Sequence, residues 1–481
     1  MSAPQTPGFP SASGLAALRA TVAGPVLVPG DEGYAGEIPT YNLTVVHTPA
    51  VVVGVTSAAD VQAAVRFAAA NDLPVAVLGA GHGTSVSSDG AVLITTRRLT
   101  GLTIDEDAMT ARVEAGVRWG EFVEQAGKLG VAGLNGSSPT VTVVGYTLGG
   151  GLGPFGRKYG YAADHVTALD VVTPDGEVRH VTADSEPDLF WALRGAKGNF
   201  GVVVAIEFTV FPIKAFYGGG IFFPGELAGE VLHLFREWTK DLPEEMSASV
   251  GLLHLPAAPF VPEPLRDRLV AHLRVAYLGG PSDGAVLVQP FRDLGAPIID
   301  AVGPMPYAAV AAVHNDPVDP LPLYEHAALL RELPAEAVDT ILRYAGPGAE
   351  SPLVLAEVRH MGGALSRAPE VPNAVGNRDE TLYNVFLVAA GGPPDAAALH
   401  AYEQRLIDAL APWSTGRRYL NFMFAADADP QTAALAYAPE AYERLAGIKR
   451  RWDPANLFRI NHNIPPATSA EREVPGSPNS L

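Results

Sequence analysis

The chain has no cysteine in its 481 residues. That absence excludes disulfides, zinc–thiolate sites, thiol nucleophiles and any cysteinyl bond to a cofactor. Positive charge is scarce: 33 Lys and Arg stand against 52 Asp and Glu, for a formal net charge of −19. A nucleic-acid face needs clustered basic residues, and none are clustered, so no nucleic acid is expected as a partner. Long apolar runs are missing too. Gly, Pro or Asp cuts every hydrophobic stretch before the roughly 18 residues a membrane span needs. The start, MSAPQTPGFPSASG, has neither the basic nor the apolar segment of a secretory signal. A cytoplasmic protein with no membrane partner is the expectation. Two enzyme classes also lose support. G-x-S-x-G occurs once, at Gly280-Pro281-Ser282-Asp283-Gly284, so a serine hydrolase is disfavoured rather than excluded; there is no H-x-H, H-x-x-x-H or Glu-flanked histidine pair for a metal.

What is present suits a large globular chain. Hydrophobic residues make up 48%, and 481 residues exceed what one ordinary core holds, so more than one domain is expected. The β-branched run near Val51–Val55 reads as a strand. Ser57 reads as an N-cap with Asp60 three residues on, opening a helix to about Ala70, and Val75–Leu78 reads as a second strand. Three more strands and a helix over Trp119–Leu129 follow. His165–Ala183 is a hairpin turning at Pro174-Asp175-Gly176. DLFWALRGAKGNFGVVVAIEFTVFPI reads as a helix, a glycine turn and a strand running to Ile213. From about Ala215, strands such as SASVGLLHL, LVAHLRVAYLGG, PLVLAEVRHMGG and LYNVFLVAAGG are separated by helices such as LHLFREWTKDL and PAEAVDTILRYA, which suggests an α+β unit on an antiparallel sheet.

Three glycine-rich turns carry the chemistry. The first, Val75–Gly90, places His82 among Gly79, Gly81 and Gly83. It lacks the third glycine of the dinucleotide fingerprint, having Thr84 there, and a β-rich run follows in place of a helix, so a Rossmann nicotinamide site is excluded. Consecutive backbone N–H groups can still make an anion-binding nest. His82 alone is equally a loop histidine bonded to its own turn. The second stretch, Gly133–Val166, and the third, Arg194–Val203, make the set look like a surface wrapped around a long phosphate-bearing cofactor. In the later sheet, alternation puts Glu357 and Arg359 on one face and His360 on the other, with solvent-facing side chains expected.

The motifs GAGHG, GSSPTVTVVGYTLGGGLG, DLFWALRGAKGNFGVV and KRRWDPANLFRINHNIPP, in that order, resemble the FAD-linked oxidases of the berberine bridge enzyme-like group, within the p-cresol methylhydroxylase and vanillyl-alcohol oxidase flavoprotein fold. MPYAAV near Tyr307 and EVRHMGGALSRAP near Glu357 resemble the group's substrate domain. The resemblance implies an α+β fold: a two-lobed FAD-binding domain over 1–214, a substrate domain over 215–417 with an antiparallel sheet covered by helices, a C-terminal return to the FAD domain over 418–466, and a flexible tail over 467–481. It implies FAD contacts at Leu78, Gly79, Ala80, Gly81, His82, Gly83, Thr84, Gly136, Ser137, Ser138, Gly145, Thr147, Gly150, Gly151, Gly153, Gly201, Val202, Asn461 and Asn463. It also implies a covalent bond from His82 to the C8-methyl carbon of the flavin. Members with a second, cysteinyl bond make it at the position of Ser138, so here only the histidyl bond is possible.

Two departures stand out. The group often has Arg-x-Gly-Gly-His at the first turn, where this chain has Leu78 in place of the arginine. Its sugar and alcohol oxidases use a Tyr-x-Asn-Tyr stretch whose second tyrosine is the base. Here that position is Phe422, which cannot take a proton, and Tyr419 is the candidate hydroxyl, or else a structural tyrosine. The implied activity is hydride transfer from a small-molecule C–H beside nitrogen or oxygen to flavin N5, then to O2, with the missing base tilting toward C–N oxidation or an unusual alcohol. The alternatives are a flavin- or deazaflavin-binding protein that uses another acceptor or lacks turnover.

Overall fold

The computed structural model describes residues 10–83, 86–259 and 261–468. Thr84 and residues 469–481 of the expected tail lie outside them.

The N-terminal half holds two sheets. The first has four strands in the order β1-β2-β4-β3: β1 (Val26–Leu27), β2 (Val51–Gly54), β3 (Val75–Leu78) and β4 (Val92–Thr95). β2 and β3 both run parallel to β4, so the chain must cross over between them. The crossover from β2 to β3 is the helix Ala58–Ala70, capped by Ser57, whose hydroxyl accepts from Asp60 N. β2, buried on both faces, is Val-rich throughout. The second sheet has five antiparallel strands in the order β5-β6-β9-β7-β8: β5 (Leu102–Asp105), β6 (Thr110–Glu114), β7 (Val166–Val172), β8 (Val178–Thr182) and β9 (Val202–Thr209). β9 stops at Thr209 rather than at Ile213, because Phe211 leaves the ladder to pair with Ala132 in an isolated bridge.

The third sheet has eight antiparallel strands: β10 (Ala215–Pro224), β11 (Met246–Leu255), β12 (Arg268–Tyr277), β13 (Ile299–Asp300), β14 (Gly303–Pro306), β15 (Leu323–Leu330), β16 (Leu353–His360) and β17 (Tyr383–Ala390). Its register decides which residues share a face. One row, Ile221-Leu273-Val250-Val358-Val385-Ala328, runs across the sheet and is fully buried, in one apolar cluster with the helices Ala228–Trp238, Ala335–Ala345 and Ala396–Ala409. The adjacent row alternates to the opposite face and is polar where it crosses the middle: Arg274, Ser249, Arg359 and Asn384 stand side by side. This sheet therefore has an apolar back and a polar front, and the front is buried as well.

The C-terminal segment packs with the N-terminal half. Leu420, Met423, Tyr437, Ile448, Phe458 and Ile464 belong to the same core cluster as the two smaller sheets. Lys449 is fully buried there. It donates to the carbonyls of Asn199 and Phe458 and pairs with Asp453 at 2.7 Å. Asn199 in turn donates to His462 O and accepts from Ile464 N. Among the described residues no helix is long and apolar enough to cross a membrane.

Candidate active site

The first glycine turn follows β3 and is strapped by Thr40–Asn42: Tyr41 N donates to Ala80 O and Asn42 N to Gly81 O. Gly81 has φ +73°, and a Cβ there would lie 2.7 Å from Thr40 Cα. Glycine is required at this position by the strap as well as by the backbone angle. The His82 ring stacks on Tyr41 with centroids 3.7 Å apart. Its Nε2 lies 2.7 Å from Thr140 Oγ1, which is 3.0 Å from Ser138 Oγ. The structure thus joins His82 to Ser138 through one hydroxyl. Burial pushes the His82 imidazole down to about 4, so it is neutral near pH 7, and Nδ1 is the nitrogen not engaged by Thr140.

The second stretch is built around Tyr146, on the short helix Val143–Leu148. A Cβ on Gly136 or Gly151 would come within 2.8 Å or 2.6 Å of the Tyr146 ring, so these glycines first make room for that tyrosine. A Cβ on Gly153 would strike Asn135 O at 1.9 Å. Gly150, at φ +114°, faces Tyr419: a Cβ there would lie 3.0 Å from the hydroxyl. The hydroxyls of Tyr146 and Tyr419 are buried with no partner among the described residues. Burial raises both well above the ordinary tyrosine value. Tyr419 therefore stays protonated and can donate a hydrogen bond, but it does not take a proton near pH 7. Phe422 stacks on Phe386, with centroids 4.9 Å apart.

The third turn holds a residue that the sequence alone did not single out. Lys197 has φ +51°, a left-handed conformation uncommon outside glycine. Its Cε would lie 3.0 Å from a Cβ on Gly149 and its Nζ 3.9 Å from a Cβ on Gly83, so the side chain bridges the second and first glycine loops. Among the described residues its ammonium has no hydrogen-bond or ion-pair partner, and burial pushes it down to about 8. The available signal was its position, a lone cation inside a glycine loop.

Several expected contacts fall elsewhere. The Leu78 side chain is 2% exposed in a small apolar cluster under β3, and Val202 is fully buried in the ladder beside Val172, so at both positions only the backbone is open to a ligand. A Cβ on Gly201 would meet Val172 O at 2.5 Å, which sets that glycine by strand packing. Gly145 lies inside the helix rather than in a turn. The Thr147 hydroxyl donates to Val143 O within its own helix and is not free for a cofactor. Gly79 backs onto Thr142, while Ala80, Gly83 and Ser137 line the loops without a side-chain hydrogen bond. Asn461 donates to the carbonyls of Gly198 and Phe458, and the Oδ1 atoms of Asn461 and Asn463 are buried and unpartnered.

The expectation that Glu357 and Arg359 face solvent is overturned. Glu357 is 1% exposed and lies between Arg274 and Arg359, 3.0 Å from each, on the buried polar front of the sheet. Burial opposes its ionisation, but the guanidiniums of Arg359 and Arg274 prevail and hold the carboxyl well below its usual range. His360, on the alternate side of the strand, is also buried and lies 3.1 Å from Arg157 Nη1.

Residues 49–182 match a family model described as an FAD binding domain, and residues 418–465 match one described as "Berberine and berberine like". The chain thus carries an FAD binding domain and a berberine-like C-terminal segment, and it is an FAD-dependent oxidoreductase. It is 29% identical to (R)-6-hydroxynicotine oxidase of Paenarthrobacter nicotinovorans over 472 residues, covering 93% of this chain and 98% of that one. Chitooligosaccharide oxidase of Gibberella zeae is 32% identical over 231 residues, covering 46% and 47%. The crystal structure of 6-hydroxy-D-nicotine oxidase from Arthrobacter nicotinovorans superposes with a TM-score of 0.79 at 26% identity, covering 93% of this chain and 98% of that one. The fold is thus that of the two-domain FAD-binding oxidases. The loops suit the cofactor: two orphaned asparagine oxygens and two orphaned tyrosine hydroxyls border the three glycine turns, together with the Lys197 ammonium, which Asp427 faces only from beyond ion-pair distance.

Proposed function

We propose that the enzyme is an oxidase acting on a small molecule at a C–H bond beside nitrogen or oxygen. The chemistry FAD supplies when bound is two-electron acceptance of that hydride, with dioxygen as the final acceptor. The residues that would hold the cofactor are the backbone of Gly79–Gly83, Lys197 as a cation for its phosphates, and His82 as the single point of covalent attachment. Lys197 takes the place of the arginine that this chain lacks at position 78. Neutral His82, fixed by Thr140 and stacked on Tyr41, presents Nδ1 as a nucleophile in a set orientation.

The observation that carries the proposal is the junction itself: the unpartnered hydroxyls of Tyr146 and Tyr419 stand at the glycine loops, where the polar sheet front closes over them. These hydroxyls stay protonated and orient a substrate by donating to it. With Phe422 where the group's alcohol oxidases carry their base, the site removes hydride without first taking a hydroxyl proton, which favours an amine. The direct test is peroxide production by purified, flavin-loaded protein against matched amines and alcohols. Peroxide from amines supports the proposal; flavin that no amine or alcohol reduces would defeat it.

A further inference from the structure

The middle of the polar sheet front borders a small, open-mouthed pocket whose enclosed part has room for about one water. One wall is Leu152–Pro154, within the second glycine-rich stretch. The facing walls carry Arg157, Arg274, Arg359, His314, His360 and Ser249. No carboxylate lines it among the described residues; Glu357, beside it, is shared by two of the three guanidiniums, while Glu244 and Asp316 act from farther off on Arg157 and His314. Arg157 is satisfied by backbone carbonyls, those of Met246, Met361 and Leu242. Both histidines are neutral near pH 7, held down to about 3 by burial and by the neighbouring arginines. The pocket is therefore a buried excess of positive charge inside a chain of net charge −19.

Burying charge without a counter-ion is costly, and buried polar atoms without partners are rare. Here both occur on the same walls. Ser249 Oγ, Arg359 Nε, His314 Nδ1 and His360 Nδ1 are buried with no hydrogen-bond partner. Arg274 spends Nε on His272 and Nη1 on Glu357, which leaves Nη2; Arg359 spends Nη2 on Glu357, which leaves Nε and Nη1. Two guanidinium edges thus remain open beside a free hydroxyl. A carboxylate, with two oxygens and one charge, matches that donor set.

Resting on the oxidase proposal above, we propose that the substrate is a small organic acid whose carboxylate binds, beside Glu357, to the open guanidinium edges of Arg274 and Arg359 and is capped by Ser249. The lining of Leu152, Val313 and Leu365 takes its apolar part. Its other end then lies toward the glycine-rich loop, where the redox chemistry takes place.

The test uses the purified holoenzyme with benzoate, its neutral isostere benzamide and inorganic phosphate, read by thermal shift and by perturbation of the flavin absorbance. Benzoate should raise the melting temperature and perturb the flavin spectrum saturably, while benzamide should do neither. Arg359→Met should weaken benzoate roughly ten- to a hundredfold, the range of a charge-assisted hydrogen bond. Ser249→Ala removes one neutral donor and should weaken it severalfold. Glu357→Gln should tighten it, because the resident carboxylate no longer competes for the guanidiniums. Equal response to benzoate and benzamide, phosphate binding more tightly than benzoate, or no gain in Glu357→Gln would overturn the assignment. The melting comparison needs no turnover. Protein that binds benzoate selectively yet oxidises nothing would contradict the oxidase proposal and leave the anion site standing.

Discussion

Lys197→Met separates cofactor binding from structural packing. The substitution keeps a flexible chain of similar length and removes only the charge. The lysine has no ion-pair partner among the described residues, Asp427 acting on it only from a distance, and burial pushes it down from an ordinary 10.5 to about 8. A lysine with a lowered folded value costs stability, and the cost is full below pH 8 and fades as pH rises toward 10.5. At 1.36 kcal/mol per pH unit, removing the charge should stabilise the apoprotein by up to about 3 kcal/mol at pH 7. Cofactor affinity should move the other way. A charge-assisted bond to phosphate contributes about 1.5–3 kcal/mol, so FAD should bind roughly ten- to a hundredfold more weakly. The assay is quenching of protein fluorescence by FAD and by riboflavin in a His82→Ala background, where attachment cannot mask affinity. FAD should suffer and riboflavin, which has no diphosphate, should not. An equal loss for both ligands, or none for FAD, would refute the role given to this lysine.

Three further outcomes are expected. Gly81→Val should abolish flavin content and lower the melting temperature, because its Cβ would lie 2.7 Å from Thr40 Cα at a φ of +73°; full flavin occupancy would contradict the packing described. Apoprotein stability between pH 4.5 and 8 should peak near pH 6.5. His82, His314, His360 and His462, held down by burial to about 4, 3, 3 and 3, lose their contribution as pH falls below 6.5. Glu325 and Glu403, pushed up from an ordinary 4.5 to about 8 chiefly by burial, lose theirs progressively as pH rises from 4.5 to 8, which the histidine gain outweighs only below 6.5, so a melting temperature climbing steadily across the range would count against this. Phe422→Tyr places a phenol near Arg359, whose Cζ is 5.6 Å from the ring, and should raise peroxide formation from alcohols relative to amines; an unchanged ratio would remove the base argument.

The local signals in the sequence were sound where one side chain closes one hydrogen bond. Ser57 caps its helix and Pro174-Asp175-Gly176 turns its hairpin. The glycine-rich turns were legible as a set, but the reason for each glycine was not, because Tyr146, Asn135 and Val172 reach those positions from elsewhere in the chain. β10 was not anticipated. A Cβ on Gly220 would strike the His272 ring at 2.1 Å, so that glycine seats a neighbour's histidine, while Gly218 and Gly219 are set by Val275 O and Ala301 O. Glu357 and Arg359 alternate as a half-solvated strand would. Nothing local says that the polar face of this sheet is itself covered, since the cover comes from a different part of the chain. Lys197 reads as an exposed loop cation until the fold closes two glycine loops over it.

The most direct test of the account is the mass of the tryptic peptides from acid-precipitated, purified protein. The precipitate should stay yellow, the peptide containing His82 should carry one flavin, and the peptide containing Ser138 should carry none. Flavin released entirely into the supernatant, with the His82 peptide at its unmodified mass, would contradict the attachment and return His82 to a loop histidine bonded to Thr140.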